Sequence, residues 1–564
     1  MARWVLKECD MSPQIAEESG LPAALAGILW QRGFRDAAAI SAFLDPKLRD
    51  LSDPFLLPDM EQAVAVVETA IRAGERIVVF GDYDVDGVTS SVLLTLFFRS
   101  MGAEIQPFLP HRMDEGYGMS REAVERCHRE TTPGLLIAVD CGTNSVEEIR
   151  WLRDQGARVI VLDHHEVSIP LPVDYPLVNP KRTGYLDTLA SVGLCFKFVH
   201  AYLKVHRDKL PVGMDPAECL RELLGLTAIG TVADLVPLTG ENRLMVRAGM
   251  ARLEQKRSVG LNELFRVAGI TYPLTPHQIG FQIGPRLNAA GRLESAMAGT
   301  ELLLCQDPVR AGELAGYLDE TNRERQDIER KIAEEAVEMA RTLVAEGGDH
   351  IIVLSGEGWH IGVVGIVASR VLREFNRPVV VIGFDSKGQG KGSCRSIGGF
   401  NILSMLEQAA PCLEKFGGHA MAAGISIEAG RIPEFRERVN EYGRRHLTPS
   451  DLEPVLIADV ELDPGEVDEN FMEALARMQP FGQGHPDPLF WGRRITQASP
   501  AGLVGRGHLK LRLAGPRGVL DGILFGWGSR PVPQGAVDIL YSPEWNEFRG
   551  RRTIQLKIRD LRES

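Results

Sequence analysis

The chain has 564 residues, which is too long for a single hydrophobic core, so we expect roughly two to four domains. Hydrophobic residues make up 44% of the sequence and charged residues 25%, and no apolar run approaches the roughly 18 residues of a membrane span, which predicts a cytoplasmic protein without a membrane partner. The net charge of -13 argues at first sight against a nucleic-acid partner. However, residues 485–564 contain thirteen Lys and Arg residues and only seven Asp and Glu residues, which suggests that this end of the chain binds a polyanion.

The first third of the chain contains three apolar strands that each end at an aspartate. They are RIVVFGDYD (76–84), LLIAVDCG (135–142) and RVIVLDHHE (158–166). Between the last two, NSVEEIRWLRDQG has apolar residues at helical spacing, so the strands are predicted to be parallel. Functional groups of open parallel sheets collect beyond the carboxyl ends of the strands. We therefore expect one edge to carry Asp82, Asp84, Asp86, Asp140, Asp163, His164 and His165.

The stretch GDYDVDG, from Gly81 to Gly87, also fits the start of an EF-hand calcium loop. Such a loop needs a glutamate at its twelfth position, which is Leu93 here, and it follows a helix, whereas Ile77–Phe80 has the pattern of a buried strand. The calcium-loop interpretation is therefore excluded. The eight cysteines include no C-x-x-C pair, so neither a zinc site nor a disulfide framework is predicted.

The middle of the chain carries one isolated acid and one long helix. In GLTAIGTVADLVPL (225–238), Asp234 should face a cation, because burying an unpaired carboxylate costs on the order of several kcal/mol. From about Asp307 the pattern predicts a long helix that suits a connector, with an apolar stripe at Ile328, Ile332, Ala336, Met339 and Leu343. A second α/β region follows, and after Glu453 several short strands are typical of a small β-barrel.

The carboxylates and imidazoles together form a mixed oxygen and nitrogen ligand set. Oxygen-rich sites suit Mg²⁺ and Mn²⁺, and added imidazole moves the preference toward Mn²⁺. Six or more ligands exceed the needs of one ion, so two ions that share a bridging aspartate are the economical arrangement, and two ions about 3.5 to 4 Å apart serve phosphoryl chemistry. A single strand-end Asp is often only a helix cap, but three neighbouring strand ends indicate hydrolysis of a phosphoester or phosphoanhydride.

Glycine-rich and basic segments supply candidate phosphate contacts. FGGHAMAAG (416–424) places a histidine before small residues that could open a helix N-terminus, and GSCRS lies nearby in sequence. The two arginines of GPRLNAAGRLESA (284–296) could equally form structural ion pairs. The candidate contacts are Arg112, Arg286, Asn288, Arg292, Ser393, Arg395, Ser396, Gly417, Gly418 and His419.

The motifs GDYDVDG, AVDCG, LDHHE and AIGTVADLVPL resemble the four motifs of the DHH phosphoesterase superfamily, and FGGHAMAAG with CRS resembles its accompanying substrate-binding domain. Their order, the long helix, PFGQGHPDPLF and the β-rich end resemble one branch closely, the RecJ family of single-strand-specific DNA exonucleases. The resemblance runs from about residue 20 to the end. It implies Mn²⁺- or Mg²⁺-dependent degradation of single-stranded DNA from the 5′ end to mononucleotides, in recombination and repair.

The resemblance also implies roles for individual residues. His165 would contact the scissile phosphate or act as an acid, and Asp163 would orient its neighbours. Asp140 would bridge the two metal ions, whose full set of ligands would be Asp82, Asp84, Asp86, Asp140, His164 and Asp234. The DNA or its 5′ end would be held by Arg395, Ser396, Gly418 and His419.

The implied architecture is α/β with a C-terminal OB-like β-barrel. Its parts are an N-terminal extension (1–50), a parallel-sheet DHH catalytic domain (51–305), a connecting helix (306–345), a DHHA1-type substrate-binding domain (346–450) and an OB-fold-like nucleic-acid-binding domain (451–564). In the last part, basic side chains such as Arg506, Lys510, Arg512 and Lys557 would track the DNA backbone. Aromatic residues would stack on bases or form an ordinary β core: Phe490, Trp491, Trp527 and Trp545.

Two other functions are compatible with the sequence. A small-substrate phosphoesterase, acting on pyrophosphate or oligonucleotides, would need only the catalytic domain and the substrate-binding domain. The additional basic, β-rich domain therefore favours a long polymer as the substrate. A non-catalytic DNA-binding scaffold would be expected to have lost metal ligands, whereas the full set is present. The expected partners are single-stranded DNA and, among proteins, a helicase and a single-strand-binding protein.

Overall fold

The computed structural model describes residues 2–111, 115, 118–185, 187–255, 257–293, 296–346, 349–385, 388–505, 507–515, 518–528, 530–548 and 550–564. The predicted contact Arg112 and the basic residue Arg506 lie outside the described residues, as does the side chain of Arg292. The chain forms two compact units. The first unit comprises the residues up to Leu51, Pro237–Arg247 and Val455–Ser564, and the second comprises Ser52–Val236 and Ala248–Pro454. Across the described helices, none has the length and apolar character needed to cross a membrane.

The first unit begins with a short strand and three helices. These are β1 (Arg3–Leu6), α1 (Pro13–Ser19), α2 (Ala23–Gln31) and α3 (Ala37–Leu44). Leu25, Ile28 and Ile40 are fully buried in one core with Leu509 and Ile539 from the C-terminal part of the chain. The first fifty residues therefore share a hydrophobic core with the β-rich end.

The second unit begins with a parallel sheet. Its elements are α4 (Met60–Ala73), β2 (Ile77–Gly81), α5 (Val85–Ser100), β3 (Ile105–Phe108), α6 (Arg121–Thr131), β4 (Leu135–Val139), α7 (Val146–Asp154), β5 (Arg158–Leu162) and β6 (Leu177–Val178). The strand order is β3-β2-β4-β5-β6, and every pairing is parallel. Strands β2 and β4 are buried at every position, as expected for a parallel sheet covered on both faces. The predicted parallel sheet is confirmed.

A series of helices follows. They are α8 (Ser191–Val205), α9 (Pro216–Ala233), α10 (Gly240–Gln255), α11 (Val259–Ala268), α12 (Gly284–Leu293), α13 (Met297–Leu304) and α14 (Pro308–Ala345). Helix α14 has 38 residues and is capped by Asp307, whose side chain accepts from the Val309 N–H. It is the predicted long helix. Ile332 and Ala336 of the predicted stripe are buried against the second sheet.

The second sheet is mixed. It contains β7 (Ile352–Ser355), β8 (Val379–Phe384), β9 (Gly390–Arg395), β10 (Lys415–His419) and β11 (Ala422–Ile427), in the order β10-β11-β9-β8-β7, with helices α15 (Val364–Phe375), α16 (Ile402–Gln408) and α17 (Ile432–His446). Only β7 and β8 pair in parallel. The expectation that a helix opens after His419 is wrong, because the chain turns there into an antiparallel hairpin. Gly418, with φ of 146°, adopts backbone angles that favour glycine in this hairpin.

The C-terminal part is a seven-stranded mixed sheet with one helix. Its elements are β12 (Val455–Ala458), β13 (Val460–Glu461), α18 (Glu469–Met478), β14 (Phe490–Ile495), β15 (Gln497–Val504), β16 (His508–Gly515), β17 (Gly518–Leu524), β18 (Val537–Phe548) and β19 (Arg551–Glu563). Strand β12 pairs with β1, and the order of the sheet is β13-β14-β18-β19-β17-β16-β15.

The structure separates the aromatic residues of this sheet into two groups. Phe490 and Trp527 are buried in the hydrophobic core, so the interpretation as β core is right for both. Trp491 and Trp545 are half-buried, and the guanidinium groups of Arg493 and Arg552 lie 4.3 and 4.0 Å from their ring centroids. A base could stack on the same face of either ring only if the arginine on that face moved away.

The packing of α14 gives a first test. Ala336 is fully buried against the core of the second sheet, so Ala336→Leu should overpack it and lower the free energy of unfolding by about 1–3 kcal/mol. Met339 lies on the same helix but is 38% exposed, so Met339→Leu should leave stability nearly unchanged. Urea denaturation of both variants measures the difference. Equal effects would contradict this packing.

Candidate active site

The GDYDVDG stretch forms the junction between β2 and α5. Asp84 caps α5, and its Oδ1 accepts from the backbone N–H of Asp86 at 2.8 Å and of Gly87 at 3.2 Å. A Cβ atom at Gly87 would collide with the backbone of Asp82, which explains the glycine. Asp82 and Asp86 are both buried. The alternation of aspartates thus combines one capping residue with two buried carboxylates.

The first two backbone N–H groups of helix α8 donate hydrogen bonds to the Asp86 carboxylate. The backbone N–H of Ser191 donates to Asp86 Oδ2 at 2.7 Å, and that of Val192 donates to Oδ1 at 2.8 Å. The Ser191 hydroxyl donates to Asp140 Oδ1 at 3.3 Å. A helix N-terminus favours negative charge, so α8 stabilises this end of the cluster. Sequence reasoning missed Ser191, although a small polar residue opening an apolar helix is a usable signal.

Asp140 and Asp163 follow β4 and β5. Asp140 has φ of 59°, a left-handed conformation that non-glycine residues adopt at a cost and often at functional sites. Asp163 accepts from the backbone N–H of Thr143 at 3.0 Å and of His164 at 2.8 Å, and the ring Nδ1 of His165 lies 2.7 Å from its Oδ1. Asp163 therefore fixes the loop that carries both histidines.

The predicted ligands converge at this edge. His164 Nε2 lies 3.4 Å from Asp140 Oδ1, 3.6 Å from Asp234 Oδ2 and 4.0 Å from Asp86 Oδ2. Three groups have potential ligand atoms within 4.8 Å of one another: Asp82 with Asp84 and Asp140, Asp140 with His164 and His165, and Asp86 with His164 and Asp234. Asp140 and His164 each belong to two groups, an arrangement that suits two adjacent ions.

Burial and mutual repulsion raise the pKa values of the clustered carboxylates, of which Asp234 is half-buried and the others are buried. Burial, followed by the charge of Asp84, raises the pKa of Asp86 to about 7 and that of Asp82 well above its ordinary value. Burial and Asp86 raise the pKa of Asp234 to about 9, and burial and the surrounding aspartates raise that of Asp140. The site therefore binds protons at neutral pH unless cations replace them.

The histidines differ in charge. Burial, followed by the proximity of His165, lowers the pKa of His164 to about 4, so its ring is neutral and able to bind a metal. Burial also disfavours a charged His165, but the hydrogen bond with Asp163 outweighs this and raises the pKa of His165. The same contact helps to keep the pKa of Asp163 far below its usual range despite its burial.

Unpartnered polar atoms indicate a cation-binding site. Asp82 Oδ2, His164 Nε2 and Asp234 Oδ2 are buried and have no hydrogen-bond partner among the residues that the structure describes. Leaving such atoms unpaired is costly, and they are the ligand types that Mn²⁺ and Mg²⁺ accept. The residues present therefore fit two divalent ions.

One face of the second sheet carries four of the predicted phosphate contacts, Ser393, Arg395, Gly417 and His419, whereas Gly418 falls on the opposite face. In the register of the sheet, Arg395 lies opposite Ala422, which lies opposite His419, and Ser393 and Gly417 flank Gly424 in the same way. The small residues of β11 thus separate Ser393 and Arg395 from His419. A Cβ atom at Gly365 would lie 3.1 Å from Ser393 Oγ and 3.2 Å from Arg395 Nη2. The helix N-terminus at this face is that of α15, which sequence reasoning missed.

Other predicted contacts have structural partners. The Ser396 hydroxyl donates to the Phe400 carbonyl at 2.6 Å. Arg286 donates to Asp319 Oδ1 at 2.9 Å and to the Gln282 carbonyl at 2.6 Å, as in the ion-pair alternative. Asn288 is half-buried on the same helix, α12.

Sequence reasoning also missed Asn179. Its buried amide donates to Thr143 Oγ1 at 3.0 Å and to the His165 carbonyl at 2.9 Å, so it supports the histidine loop. Its only sequence signal is its position directly after strand β6. Lys181, two residues later, pairs with Glu166 at 2.8 Å.

Family models match three parts of the chain. The model described as DHH family, N-terminal domain, matches residues 76–231, the DHHA1 domain matches residues 348–444, and the RecJ OB domain matches residues 458–560. The first contains the aspartates of β2 and β4 and the histidine pair, and the second contains Arg395 and His419.

Curated relatives match almost the whole chain. The single-stranded-DNA-specific exonuclease RecJ of Dickeya dadantii is 38% identical, with 96% of each chain covered. That of Bacillus subtilis is 36% identical over 99% of this chain and 70% of its own length. Among solved structures, RecJ from Thermus thermophilus in complex with Mn²⁺ superposes with a TM-score of 0.85 at 31% identity, covering 100% of this chain and 80% of that chain.

The raised carboxyl pKa values predict that metal binding depends on pH. Because the folded-state pKa of Asp86 lies above its unfolded-state value, the metal-free protein should lose stability as pH rises toward about 7. Mn²⁺ competes with these protons, so its stabilising effect should increase with pH. We expect the Mn²⁺-induced rise in Tm to be roughly 2–5 °C larger at pH 8 than at pH 6.

Differential scanning calorimetry with chelator and with Mn²⁺, at both pH values, measures this effect. The matched variant is Asp234→Asn, which removes one carboxyl group whose pKa is raised. It should reduce the Mn²⁺-induced rise in Tm at both pH values. An equal rise in Tm at pH 6 and pH 8 in the unaltered protein would show that the carboxylates do not bind protons as described.

Proposed function

Because the chain belongs to the RecJ family of single-stranded-DNA-specific exonucleases, we propose that it degrades single-stranded DNA from the 5′ end to mononucleotides in DNA recombination and repair. The family resemblance inferred from the sequence motifs is confirmed by the relatives. The observation that carries the mechanism is the convergence of Asp82, Asp140, His164 and Asp234 at one sheet edge. The first, third and fourth of these residues each have a buried atom without a hydrogen-bond partner in the part of the chain that the structure describes.

Two divalent ions would be held by Asp82, Asp84, Asp86, Asp140, His164 and Asp234, of which Asp140 and His164 each belong to two of the three ligand groups. Bound Mn²⁺ or Mg²⁺ supplies an activated water and charge stabilisation for phosphodiester hydrolysis. The α8 N-terminus orients Asp86, and Asp163 with Asn179 orients the histidine loop. These contacts fix the ligand geometry before the ions bind.

His165 is the candidate acid. Its Nδ1 faces the Asp163 carboxylate at 2.7 Å, which holds a proton on the ring and leaves Nε2 as the donor. A donor at this position would bind a phosphate oxygen of the scissile bond and stabilise the negative charge that develops there. His165 would thus act on the substrate, whereas His164 binds metal.

One face of the second sheet would hold the DNA near its 5′ end. Ser393, Arg395 and His419 share one face next to the α15 N-terminus, a combination that favours a phosphate. Gly417 leaves room for close approach of the DNA backbone, because a Cβ atom there would meet nothing within 4 Å, whereas one at Gly418 would meet Ala422 and Ala423 of the protein itself. Five further residues are candidates for contacts with the DNA: Arg112, Arg286, Asn288, Arg292 and Ser396. Of these, Arg286 and Ser396 would first have to leave their present hydrogen-bond partners.

The basic C-terminal sheet favours a polymeric substrate over a small one. Lys510 lies opposite Ile523, which lies opposite Lys557, so the two lysines share one face two strands apart. Arg512 lies on the same face of β16. Asp521 lies on this face as well, 3.0 Å from Lys510 Nζ and 3.9 Å from Arg512 Nε, so a phosphate would have to compete with its carboxylate. We call the face that carries Lys510, Arg512 and Lys557 the basic face; basic side chains arranged in this way are typical of grooves that follow a nucleic-acid backbone. We further propose that the protein acts in the cytoplasm, with a helicase that supplies single strands and a single-strand-binding protein.

The first experiment is digestion of a single-stranded DNA that is labelled at either end, with Mn²⁺. We expect mononucleotides from the 5′ end, and Asp140→Ala should lower the rate by on the order of 10³-fold or more, because a carboxylate that belongs to two of the ligand groups is lost. Asp154→Ala removes an exposed acid from α7 and serves as the control. Turnover of pyrophosphate or dinucleotides without digestion of long strands would instead favour a small-substrate phosphoesterase.

The basic face is tested by the double variant Lys510→Gln/Lys557→Gln. If both lysines contact phosphates, the slope of log affinity against log salt should fall by about 1.4, and the Kd for single-stranded DNA should rise roughly tenfold at 0.15 M salt. Fluorescence anisotropy in chelator measures both. The charge-matched control is Arg330→Gln/Lys331→Gln, on exposed positions of α14. An unchanged slope in the first variant would remove this face from the DNA path.

A further inference from the structure

Gly230, in the last turn of helix α9, lies where three helices of the second unit meet. A Cβ atom at Gly230 would lie 2.3 Å from Thr89 Oγ1 of α5 and 2.8 Å from Val192 Cγ1 of α8. Thr89 is fully buried, and its hydroxyl is held in place because it donates to the Val85 carbonyl at 2.7 Å. A larger residue would therefore push the helices apart, so the glycine sets how closely α9 approaches α5 and α8.

The same glycine adjoins two of the predicted metal ligands. Asp86 lies one turn before Thr89 on α5, and its Oδ1 would be 3.2 Å from a Cβ atom at Gly230. The Gly230 carbonyl accepts a hydrogen bond of 2.9 Å from the backbone N–H of Asp234, which caps the C-terminus of α9. Gly230 is therefore the point at which the helix that carries Asp86 meets the helix that ends at Asp234.

Helix α8 links this crossing to the orientation of the Asp86 carboxylate. The backbone N–H of Val192 donates to Asp86 Oδ1 at 2.8 Å, while the Val192 side chain faces Gly230. The other oxygen, Asp86 Oδ2, lies 4.0 Å from His164 Nε2, which lies 3.6 Å from Asp234 Oδ2. Asp86, His164 and Asp234 form one of the three ligand groups, so the helix crossing and this group share two residues or their immediate neighbours.

The sheet holds α5 more firmly than it holds α9. A Cβ atom at Gly81 of strand β2 would lie 2.3 Å from Ser91 Oγ of α5, so this helix packs directly on the strand. Added volume at the crossing should therefore displace α9 rather than α5. A displacement of α9 leaves in place the ligand group that follows strands β2 and β4, which consists of Asp82, Asp84 and Asp140.

We propose that Gly230 is a positioning residue that sets the separation between Asp86 and Asp234 and so the affinity for the ion that they share. This inference rests on the proposed function only in that their ligand group binds a divalent ion. Helix α5 and the second half of α9 are buried, so extra volume between them shifts the backbone instead of moving a side chain into solvent. Loss of support for a metal ligand typically lowers metal affinity by about 10- to 100-fold.

The test is Gly230→Ala in the full-length chain, with Mn²⁺ binding followed by titration calorimetry without DNA. We expect two binding steps in the unaltered protein, of which one weakens about tenfold in the variant while the other changes by less than about threefold. Asp234→Asn should weaken the same step, which identifies the ion.

Electron paramagnetic resonance gives an independent measurement. Two Mn²⁺ ions about 3.5 to 4 Å apart are magnetically coupled. At a Mn²⁺ concentration that fills both sites of the unaltered protein, Gly230→Ala should instead show the signal of uncoupled Mn²⁺. A general loss of stability would not change one binding step and spare the other.

Further variants separate positioning from a general effect of crowding. Gly225→Ala, earlier on the same helix, would place a methyl group 2.9 Å from Leu253 Cδ2 and should leave both binding steps unchanged. In the background Thr89→Ala/Val192→Ala, which removes the two nearest side-chain atoms, adding Gly230→Ala should lower the affinity by no more than about threefold. If Gly230→Ala alone does not fold, Thr89→Val is the milder variant. It places a methyl group against Gly230 and should weaken the same binding step.

The proposal is overturned if Gly230→Ala, or Thr89→Val in its place, binds both ions normally, or if it weakens both steps equally. It is also overturned if Gly225→Ala has the same effect, or if the Thr89→Ala/Val192→Ala background does not reduce the effect of Gly230→Ala. If the unaltered protein binds Mn²⁺ but digests no single-stranded DNA, the proposed function fails, whereas the role of Gly230 is still decided by the calorimetry.

Discussion

The repulsion among four clustered carboxylates, three of them buried and one half-buried, is the constraint on which the rest of the active-site edge depends. Asp82, Asp86, Asp140 and Asp234 are held close together where burial and neighbouring charge disfavour ionisation. A fold can maintain such a cluster only with compensating groups around it. The backbone donors at Gly118, Ser191 and Val192 compensate in part, and divalent cations are left to supply the remainder.

Hydrogen bonding, more than burial, assigns different roles to aspartates at the same edge. Asp163 is as buried as Asp82, yet its pKa moves in the opposite direction, because backbone donors and the His165 ring surround it. It therefore remains ionised and supports the histidine loop. Asp82 and Asp234 each keep an oxygen without a partner among the described residues, and these oxygens are available to a metal.

The sequence predicted the metal edge well because strand ends and parallel topology determine where Asp140, Asp163 and His164 lie. It predicted the phosphate-contact segment after Phe416 less well, because glycine and small residues are compatible with both a helix start and a tight hairpin. Pairing with distant strands determines that the chain forms a hairpin at His419. Asn179 and Ser191 were missed because their roles depend on contacts with residues that are distant in sequence. Asn179 contacts His165, which is 14 positions away, and Ser191 contacts Asp140, which is 51 positions away. Arg286 shows the same limit, since only the structure reveals Asp319 as its partner.

The division of the chain into units has a consequence for biosynthesis. The first unit is assembled from three separate segments, the last of which begins at Val455. Helices α1 to α3 leave the ribosome early, but the strands that complete their core are made only after roughly 400 further residues, about 20–80 s later at typical rates of synthesis. The sheet that carries the basic face thus cannot form until the final strands emerge. A nascent chain would hold its N-terminal apolar helices without their partners throughout that interval, which makes them a natural binding site for chaperones.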